Sequence, residues 1–595
     1  MTQTIQNGIS NLENLFAVNA FLIPQYQRAF SWEEPQLEAF LEDLRQQVSI
    51  QRKAPDKHYF LGTFLLHEET IRNRQVVNVV DGQQRMTTAV VFIAKALALH
   101  AAGKISLASE KPALLRRTFV RDDVADVQRF HTILEDEPFF QSEVLRVSAA
   151  ICQQDSPSSR RLMTAAKYFE NMVMPDEWGA LISTLKTAKV MIYAVTSAED
   201  ATQIFELQND RGKSLTSLEA LKSYLMHCVY LHSPSNADDR LAALQTLFSK
   251  VYRTVEALAE LKRTPNEDQV LAYHSAAFLS WTDKEDYNNP KQLVKATIKS
   301  MNGTGVIGWI EEFVSSLVES YRSIDDMFAR RDELSEFSEL LVLGRMASFW
   351  PLVLKTWRHD KTANKTDFRK TCRLLEVFTF RGYAVANLRT DTSLSQYHIA
   401  ARDFSGNFQA LFMQLSAMCH WHNLDNRFVA GLDNAYFYFE EEKDAHYLLW
   451  RYENDLRKRT GQQQPLLSWR DFVEPRNYAA KFSVEHVASQ DHPLSQTIIS
   501  WDENDPKPFK EVALHRLGNL VIDSISPNAS KKNGEFADKL ESLSVDSIYL
   551  SQGELIRFVK DRKIPVWDLE SVRARHMHML DYAKKTWDPS TWHTA

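Results

Sequence analysis

Cysteine is scarce in this chain, with 4 among 595 residues, and none of them lie at the spacing of a zinc ribbon or a disulfide framework. This scatter excludes both kinds of stabilised small domain and fits a reducing cytoplasm. The chain also has no long apolar run. The most apolar stretches, 89–100 and 340–354, contain charged residues or proline and fall short of the roughly 18–20 residues of a membrane span. We expect both to be buried helices, and we expect no membrane partner.

An excess of basic residues is missing as well, because the net charge is -7. This balance excludes a chain that binds nucleic acid over its whole surface, although a local basic groove is enough for phosphate contact. Residues 1–10 are polar and do not have the pattern of a secretory signal, so we expect a cytoplasmic protein. A hydrophobic content of 44% and the length of 595 residues predict a globular protein of two or three domains.

The order of sequence patterns indicates a mixed N-terminal region followed by helices. Residues 75–80 are rich in β-branched side chains and end at the turn Asp81-Gly82, and residues 87–100 have helical composition. A second strand is predicted at 189–195, with a helix beginning near 201. From about 215 to 460 apolar residues recur at helical spacing, and strand patterns are few.

The segment after residue 480 has the strongest functional pattern. Strands are predicted at 481–488 and 517–523, followed by a polar helix at 528–543, an order that can form a ββα hairpin around one divalent ion. Hydrolysis of a phosphodiester needs a base that is active near neutral pH, which favours His486. It also needs a hard cation such as Mg²⁺, which prefers a few oxygen ligands and retained water.

This segment resembles the HNH (ββα-metal) nuclease motif, and in particular the C-terminal domain of GmrSD-type modification-dependent restriction endonucleases, with the related SspE-like and BrxU-like defence proteins. The matching stretches are 485–490, 516–520, Asn528 with Phe536 and Lys539, and the terminal residues Trp567, Val572, Arg575, Ala583 and Trp587. The one departure is Ser489, where the family usually has proline.

The resemblance implies a role for each polar residue of the motif. His486 is the expected general base, and Asn519 is expected to hold both the strand that carries His486 and its imidazole. Glu485 and Asn528 are the expected ligands of Mg²⁺ or Mn²⁺. The candidate DNA contacts of this segment are Arg516, Lys531 and Lys532.

A second motif, residues 81–88, lies where a strand ends and a helix begins, so that free backbone N–H groups and the helix dipole favour an anion. Gly82 permits close approach of the backbone, and Arg85 offers two donors to a phosphate. An Asp-Gly pair alone is also an ordinary turn, and that alternative stays open at this point.

Together with residues 23–28, 59–62 and 205–222, this motif resembles the N-terminal domain of the same family, which has a ParB/sulfiredoxin-like fold. The resemblance implies binding and hydrolysis of GTP or another nucleoside triphosphate, coupled to sensing of DNA. The modification sensed would be a phosphorothioate, a glucosyl or a methyl group. The candidate nucleotide contacts are Gln27, Arg28, Asp81, Gly82, Gln84 and Arg85.

We therefore expect a predominantly helical α+β protein in three parts: a ParB-like α/β domain (1–230), a helical middle (231–425) and an HNH endonuclease domain with a ββα-metal core (426–595). The expected function is a metal-dependent DNA endonuclease, regulated by nucleoside triphosphate, in bacterial defence against phage. The alternative is a non-catalytic ParB-like adaptor or nucleotide switch that binds DNA. Either function is compatible with a homo-oligomer.

Overall fold

The fold is described from a computed structural model of the full chain. The residues it describes are 5–24, 27–71, 74–107, 110–149, 152, 156–195, 216–233, 236–261, 263–283, 287–301, 303, 305–440, 442–461, 482–488, 497–501, 506–524, 549–559 and 567–590. The predicted metal ligand Asn528 and the predicted DNA contacts Lys531 and Lys532 lie outside these residues, as does the helix predicted near residue 201.

The chain forms two compact units. The first comprises Met1–Leu261, Pro265–Ala272 and Asn288–Arg322, and the second comprises Lys262–Thr264, Tyr273–Tyr287 and Ser323–Ala595. The segment predicted as a separate helical middle thus contributes residues to both units, and the three-part boundaries stay a prediction.

The described residues contain twelve strands. They are β1 Gly8–Asn11, β2 Phe21–Leu22, β3 Phe60–Ile71, β4 Arg74–Asp81, β5 Arg121–Asp122, β6 Val127–Gln128, β7 Phe130–His131, β8 Lys189–Val195, β9 Phe482–His486, β10 Ile498–Ser500, β11 Pro506–Pro508 and β12 Leu520–Ser524. The first unit contains a 6-stranded sheet of order β1-β8-β3-β4-β2-β7. This sheet is mixed, because β3 runs parallel to β8 and antiparallel to β4.

Helices make up most of the remaining described structure. They are α1 Leu12–Val18, α2 Glu34–Gln51, α3 Gln83–Ala101, α4 Pro112–Phe119, α5 Glu137–Phe139, α6 Pro157–Met172, α7 Trp178–Lys186, α8 Ser217–His232, α9 Ala237–Ala259, α10 Glu267–Phe278, α11 Pro290–Ser300, α12 Val306–Ala329, α13 Ser335–Leu343, α14 Trp350–His359, α15 Thr366–Phe378, α16 Leu394–Asp403, α17 Phe408–Met418, α18 Leu424–Leu432, α19 Phe437–Glu440, α20 Glu442–Arg459, α21 Phe509–Val512, α22 Leu550–Gly553 and α23 Leu569–Thr586. A mostly helical protein with a mixed sheet confirms the α+β class in outline.

Helix α3 is the central helix of the first unit. Its small and β-branched residues let it pack on several sides at once, and aromatic rings from α6 and α7 close around it. The ring of Phe92 lies 5.0 Å from that of Phe169 and 4.8 Å from that of Trp178. The prediction that 89–100 forms a buried helix is therefore confirmed. The helix begins earlier than predicted, at Gln83 rather than near Thr87.

The second buried stretch, 340–354, is not one helix, and that prediction is wrong. Helix α13 ends at Gly344, which has a left-handed backbone with φ of 69°, a conformation that glycine adopts without steric cost. Helix α14 then begins at Trp350 with Pro351 in its first turn, where the missing N–H of proline is tolerated. Local backbone chemistry at Gly344 and Pro351 therefore divides a predominantly apolar stretch into two helices.

In the second unit, the two strands predicted in the last part of the chain are present and pair with each other. β9 and β12 run antiparallel, with His486 opposite Leu520 and Glu485 opposite Val521. The predicted strand at 517–523 begins later than expected, because Leu517–Asn519 forms a 3₁₀ turn. Within the described ranges, no helix combines the length and the apolar character that crossing a membrane requires.

Candidate functional site

Asn519 fixes the strand that carries His486. It is 0% exposed, and its side-chain oxygen accepts the backbone N–H of Ala488 at 2.8 Å and the indole N–H of Trp567 at 3.0 Å. Its amide nitrogen donates to the carbonyls of Leu514 at 2.9 Å and Ala488 at 3.2 Å. A buried amide with four partners is costly to disturb, so Asn519 holds the end of β9 in place.

The 3₁₀ turn before β12 is held by the terminal helix α23. A Cβ atom on Gly518 would lie 2.1 Å from the carbonyl oxygen of Val572, so only glycine allows α23 to approach this closely. Arg575 on α23 donates through one nitrogen to the carbonyls of Gly518 at 2.9 Å and Leu520 at 2.6 Å. The terminal helix and the hairpin therefore form one packed structure around Asn519.

Two imidazoles meet at the end of the hairpin. Nε2 of His486 lies 3.1 Å from Nδ1 of His515, and the rings are nearly perpendicular with centroids 5.1 Å apart. The edge-on ring of Tyr438 lies 5.1 Å from His486, and it stacks 6.0 Å from His515. Burial lowers the pKa of His515, which favours its neutral form. At most one member of such a pair can be protonated without losing the hydrogen bond.

Glu485 lies on the same strand as His486, and both side chains are largely buried. Neighbouring residues of a strand project to opposite faces. The ring of Tyr438, from α19, contacts His486 directly. Burial raises the pKa of Tyr438, and the charges of Glu442 and Glu485 raise it further.

His515 is a residue of this site to which the sequence analysis gave no role. The signal that was available is its place in the segment Leu514-His515-Arg516, four residues before Asn519. Nothing local predicts that its ring meets His486, because the contact arises from the pairing of β9 with a segment far along the chain.

Arg516, a predicted DNA contact, is engaged inside the protein. Its side chain is 9% exposed, and it forms an ion pair with Asp433 at 2.5 Å. Its guanidinium also stacks 4.1 Å from the ring of Trp501, and Nε donates to the carbonyl of Val512 at 2.6 Å. Asp433 accepts a further bond from His576 at 2.9 Å. The geometry therefore favours a structural role for Arg516.

At the other motif, Gly82 forms the junction between β4 and α3. Its backbone is left-handed, with φ of 89°, and a Cβ atom there would lie 2.4 Å from the ring of Phe64. The first turn of α3 contains no acidic residue, and its N-cap, Gly82, has no side chain that could cap it. The structure thus places the motif at a strand-to-helix junction, as predicted.

The predicted nucleotide contacts Gln27, Gln84 and Arg85 donate hydrogen bonds to the protein main chain. Gln27 donates to the carbonyl of Val80 at 2.8 Å. Gln84 donates to the carbonyl of Ala29 at 3.1 Å and accepts from the N–H of Ser31 at 2.9 Å. Arg85 donates to the carbonyls of Leu61 at 3.2 Å and Thr63 at 2.9 Å. These bonds connect the motif to residues 27–31 and to β3.

The position of the Arg85 side chain also explains why residue 62 is glycine. A Cβ atom on Gly62 would lie 1.7 Å from a guanidinium nitrogen of Arg85, and the guanidinium carbon lies 5.4 Å from the centre of the Phe64 ring. Arg85 thus has a structural role at the edge of β3. Its predicted contact with phosphate stays a prediction beside that role.

Charged residues of both signs surround the junction, and two of them come from helix α8. Glu219 pairs with Arg28 at 3.5 Å and caps the start of α8 by accepting from the N–H of Thr216. Lys222, one turn further on, is buried, and burial lowers its pKa to about 8. Burial raises the pKa of Asp81, and the nearby Arg85 opposes that shift. Neither Glu219 nor Lys222 was among the predicted nucleotide contacts.

Of the two predicted metal ligands, Glu485 lies within the described residues and Asn528 does not. Among the residues that the structure describes, no group of three His, Cys, Asp or Glu side chains is arranged to hold a metal ion. A site built from one carboxylate and one amide oxygen, with water and substrate phosphate completing the shell, does not need such a group. Glu485 supplies a carboxylate at the hairpin.

Two family models match the chain. The model of the GmrSD restriction endonuclease N-terminal domain matches residues 8–226, which include the strand-to-helix junction and Glu219. The model of the GmrSD restriction endonuclease C-terminal domain matches residues 424–582, which include the hairpin, His515 and most of α23. No curated protein matches the chain. The resemblance predicted from the motifs at both ends of the chain is confirmed.

Proposed function

We propose, since this chain belongs to the GmrSD restriction endonuclease family, that its C-terminal region is an HNH-type nuclease that nicks or cleaves DNA with the help of a divalent metal ion. The observation that supports this most directly is the pair His486 and His515 at the end of a hairpin clamped by Asn519. An imidazole in that position can accept a proton near neutral pH, and the clamp keeps its strand from shifting.

In the proposed reaction, His486 accepts a proton from the water that attacks the phosphodiester phosphorus, and the bond to the leaving oxygen breaks. His486 must be neutral to do so. Its neighbour His515 is held neutral by burial, so it adds no positive charge next to the base. His515 is a positioning residue in this scheme, because it contacts His486 and orients the imidazole.

The metal ion would be Mg²⁺ or Mn²⁺, held by Glu485 and by Asn528. When bound, such an ion neutralises charge on the phosphate and stabilises the leaving oxygen. Both proposed ligands offer hard oxygen atoms, which these ions prefer. Because the protein would supply only two ligands, the coordination shell of the metal ion has room for the substrate phosphate.

We further propose that the first unit binds GTP or another nucleoside triphosphate beside Gly82 and that this regulates cleavage. The N-terminus of α3, whose first turn has no acidic residue, supports this site, as does Arg28, whose chain neighbours Gln27 and Ala29 bond to Val80 and Gln84. The role would be defence against phage in the bacterial cytoplasm, triggered by a DNA modification such as a phosphorothioate, glucosyl or methyl group.

Nicking of supercoiled plasmid by the purified full-length protein, with Mg²⁺ and with a chelator, tests the nuclease assignment. The non-catalytic adaptor predicts binding of DNA and nucleotide with no nicking under either condition. A titration of Mg²⁺ with Asn528→Ala then tests the ligand role. The variant should need more metal than the wild type, and excess metal should restore part of the rate. A metal midpoint equal to that of the wild type removes Asn528 from the site.

A further inference from the structure

The second unit contains a cavity of about 490 Å³ between helices α13, α15, α20 and α23. Six cationic side chains line it: Arg369, Lys370, Arg373, Arg451, Lys458 and Lys585. We call it the basic cavity. Only three acidic side chains share the lining, Glu336, Glu339 and Asp455. This excess of cations is opposite in sign to the net charge of -7 of the whole chain.

The three arginines of the basic cavity are neutralised by glutamates. Arg369 binds Glu336 through two parallel bonds of 2.7 and 3.0 Å. Arg451 forms an ion pair with Glu339, and Arg373 forms an ion pair with Glu376. The pairs Arg369–Glu336 and Arg451–Glu339 join α13 to α15 and α20, and the third pair lies within α15, so the arginine donors have fixed positions in the wall.

The three lysines have no such partners. Within the described part of the chain, Lys370, Lys458 and Lys585 each form no ion pair, and the remaining carboxylate of the cavity, Asp455, accepts a bond from the Tyr582 hydroxyl at 2.7 Å. Although Lys458 is exposed at the mouth of the cavity, partial desolvation lowers its pKa, the positive charge of Arg451 lowers it further, and the carboxylates of Asp455 and Glu336 oppose the shift. The cavity therefore holds more positive charge than its own carboxylates compensate.

One buried donor also lacks a partner. The side chain of Arg451 is 8% exposed, and its Nε has no hydrogen-bond acceptor among the described residues. Buried N–H groups are rarely left unsatisfied in a folded protein. This donor is closed off from solvent, so it does not by itself mark a ligand, and an anion in the cavity would act by offsetting the three lysine charges.

We propose that the basic cavity binds a small molecule that carries two or more phosphate groups. Its volume lies in the range of small-molecule sites, about 300–1,000 Å³. Lysines bind phosphate as point charges, and the paired arginines fix the walls around them. Duplex DNA is a rod that is bound along an extended stripe or groove of basic residues, and a single pocket of this volume among four helices suits a compact ligand better. No residue of β9 or β12 lines the cavity, so this ligand would bind outside the nuclease site.

Calorimetric titration of the full-length protein with inorganic tripolyphosphate tests the proposal. The test variant is Lys458→Gln combined with Lys585→Gln, because both side chains line the cavity and are exposed at its mouth. The matched control is Lys584→Gln, an exposed neighbour on α23 that does not line the cavity. Binding at the Gly82 junction would appear as a second event that none of these variants changes.

The expected result is a binding event at the basic cavity that weakens by about tenfold or more in the double variant, since two charged contacts are lost, and that is unchanged in the control. Equal affinity of all three proteins for tripolyphosphate would overturn the proposal. So would a double variant that keeps tripolyphosphate affinity and loses affinity for duplex DNA, because the lysines would then serve the DNA backbone.

Discussion

The strand-to-helix junction at Gly82 and the hairpin at His486 use their motif residues in different ways. At the junction, Gln84 and Arg85 donate hydrogen bonds to main-chain carbonyls of neighbouring segments. At the hairpin, Asn519 has that scaffolding role, and the two histidines beside it carry titratable groups. In the first motif the side chains of Gln84 and Arg85 hold neighbouring segments in place, and the second motif combines such a scaffold residue with a candidate base.

This difference predicts different consequences of mutation in the two regions. Scaffold substitutions should alter local stability in either unit. Substitutions of the imidazoles should alter the reaction and leave the fold intact.

The largest effect on stability is expected for Asn519→Ala. The substitution leaves the N–H groups of Ala488 and Trp567 buried without an acceptor, at about 1–3 kcal/mol for each group. Hydrogen exchange should become faster in β9, and nicking should be lost with it. The control Asn426→Ala removes an exposed amide from α18 and should change stability by less than about 0.5 kcal/mol. Wild-type protection of β9 in Asn519→Ala would contradict the clamp.

Arg85→Ala should destabilise the first unit by about 1.5–3 kcal/mol, since two charge-assisted bonds to β3 are lost. Exchange should accelerate in β3 and stay unchanged in β12. The exposed Arg52→Ala in the same unit is the control. Calorimetry of the same variants with GTP tests the predicted phosphate contact. If Arg85→Ala lowers nucleotide affinity while β3 keeps its protection, Arg85 is a ligand and not a scaffold residue.

His515→Ala should slow nicking by about tenfold to a hundredfold, the range for residues that orient a site through another side chain. Because His515 contacts His486, the midpoint of the acid limb of the pH–rate profile should also move. His515→Gln retains a hydrogen-bonding group, so it should restore most of the rate and the wild-type midpoint. A slower variant with an unshifted profile would reduce His515 to a packing role.

The smallest expected effect concerns the pH dependence of stability, which should have opposite signs in the two units. Burial raises the pKa of Glu256 in the first unit from 4.5 to about 7, so the stability it contributes is lost as pH rises through that window. Burial lowers the pKa of His398 in the second unit from 6.5 to about 4, so its contribution is lost as pH falls through that window. Hydrogen exchange measured at about pH 4 and about pH 7, and corrected for the pH dependence of the intrinsic exchange rate, should show these opposite changes in stability.

Glu256→Gln should flatten the response of the first unit, and His398→Gln that of the second. Parallel pH responses of the two units would contradict the assignment of these groups.

Much of the local structure could be predicted from the sequence, because periodicity and turn chemistry act over short distances. The strand within 75–80, the helix within 87–100 and the pairing partners 481–488 and 517–523 all correspond to observed elements. Apolar composition alone does not predict the break at Gly344, whose local signals are the glycine itself and the nearby Pro351.

The contacts of the two sites could be predicted only in part. His486 and Asn519 were identified from a resemblance, and the structure places Asn519 against the strand of His486. The roles of His515, Glu219 and Lys222 depend on segments that meet only after folding, and no spacing rule encodes such contacts. The same holds for Arg516, whose ion pair with Asp433 joins residues far apart in the chain.

The central claim is that the histidine at the end of the clamped hairpin is the base of a DNA-cleaving site. It is tested most directly by the rate of Mg²⁺-dependent nicking of supercoiled plasmid by full-length His486→Ala. Loss of a general base predicts a rate lower by about 10²–10⁴, with exchange protection of β12 unchanged and no rescue by added metal. Nicking by His486→Ala at the wild-type rate would contradict the account.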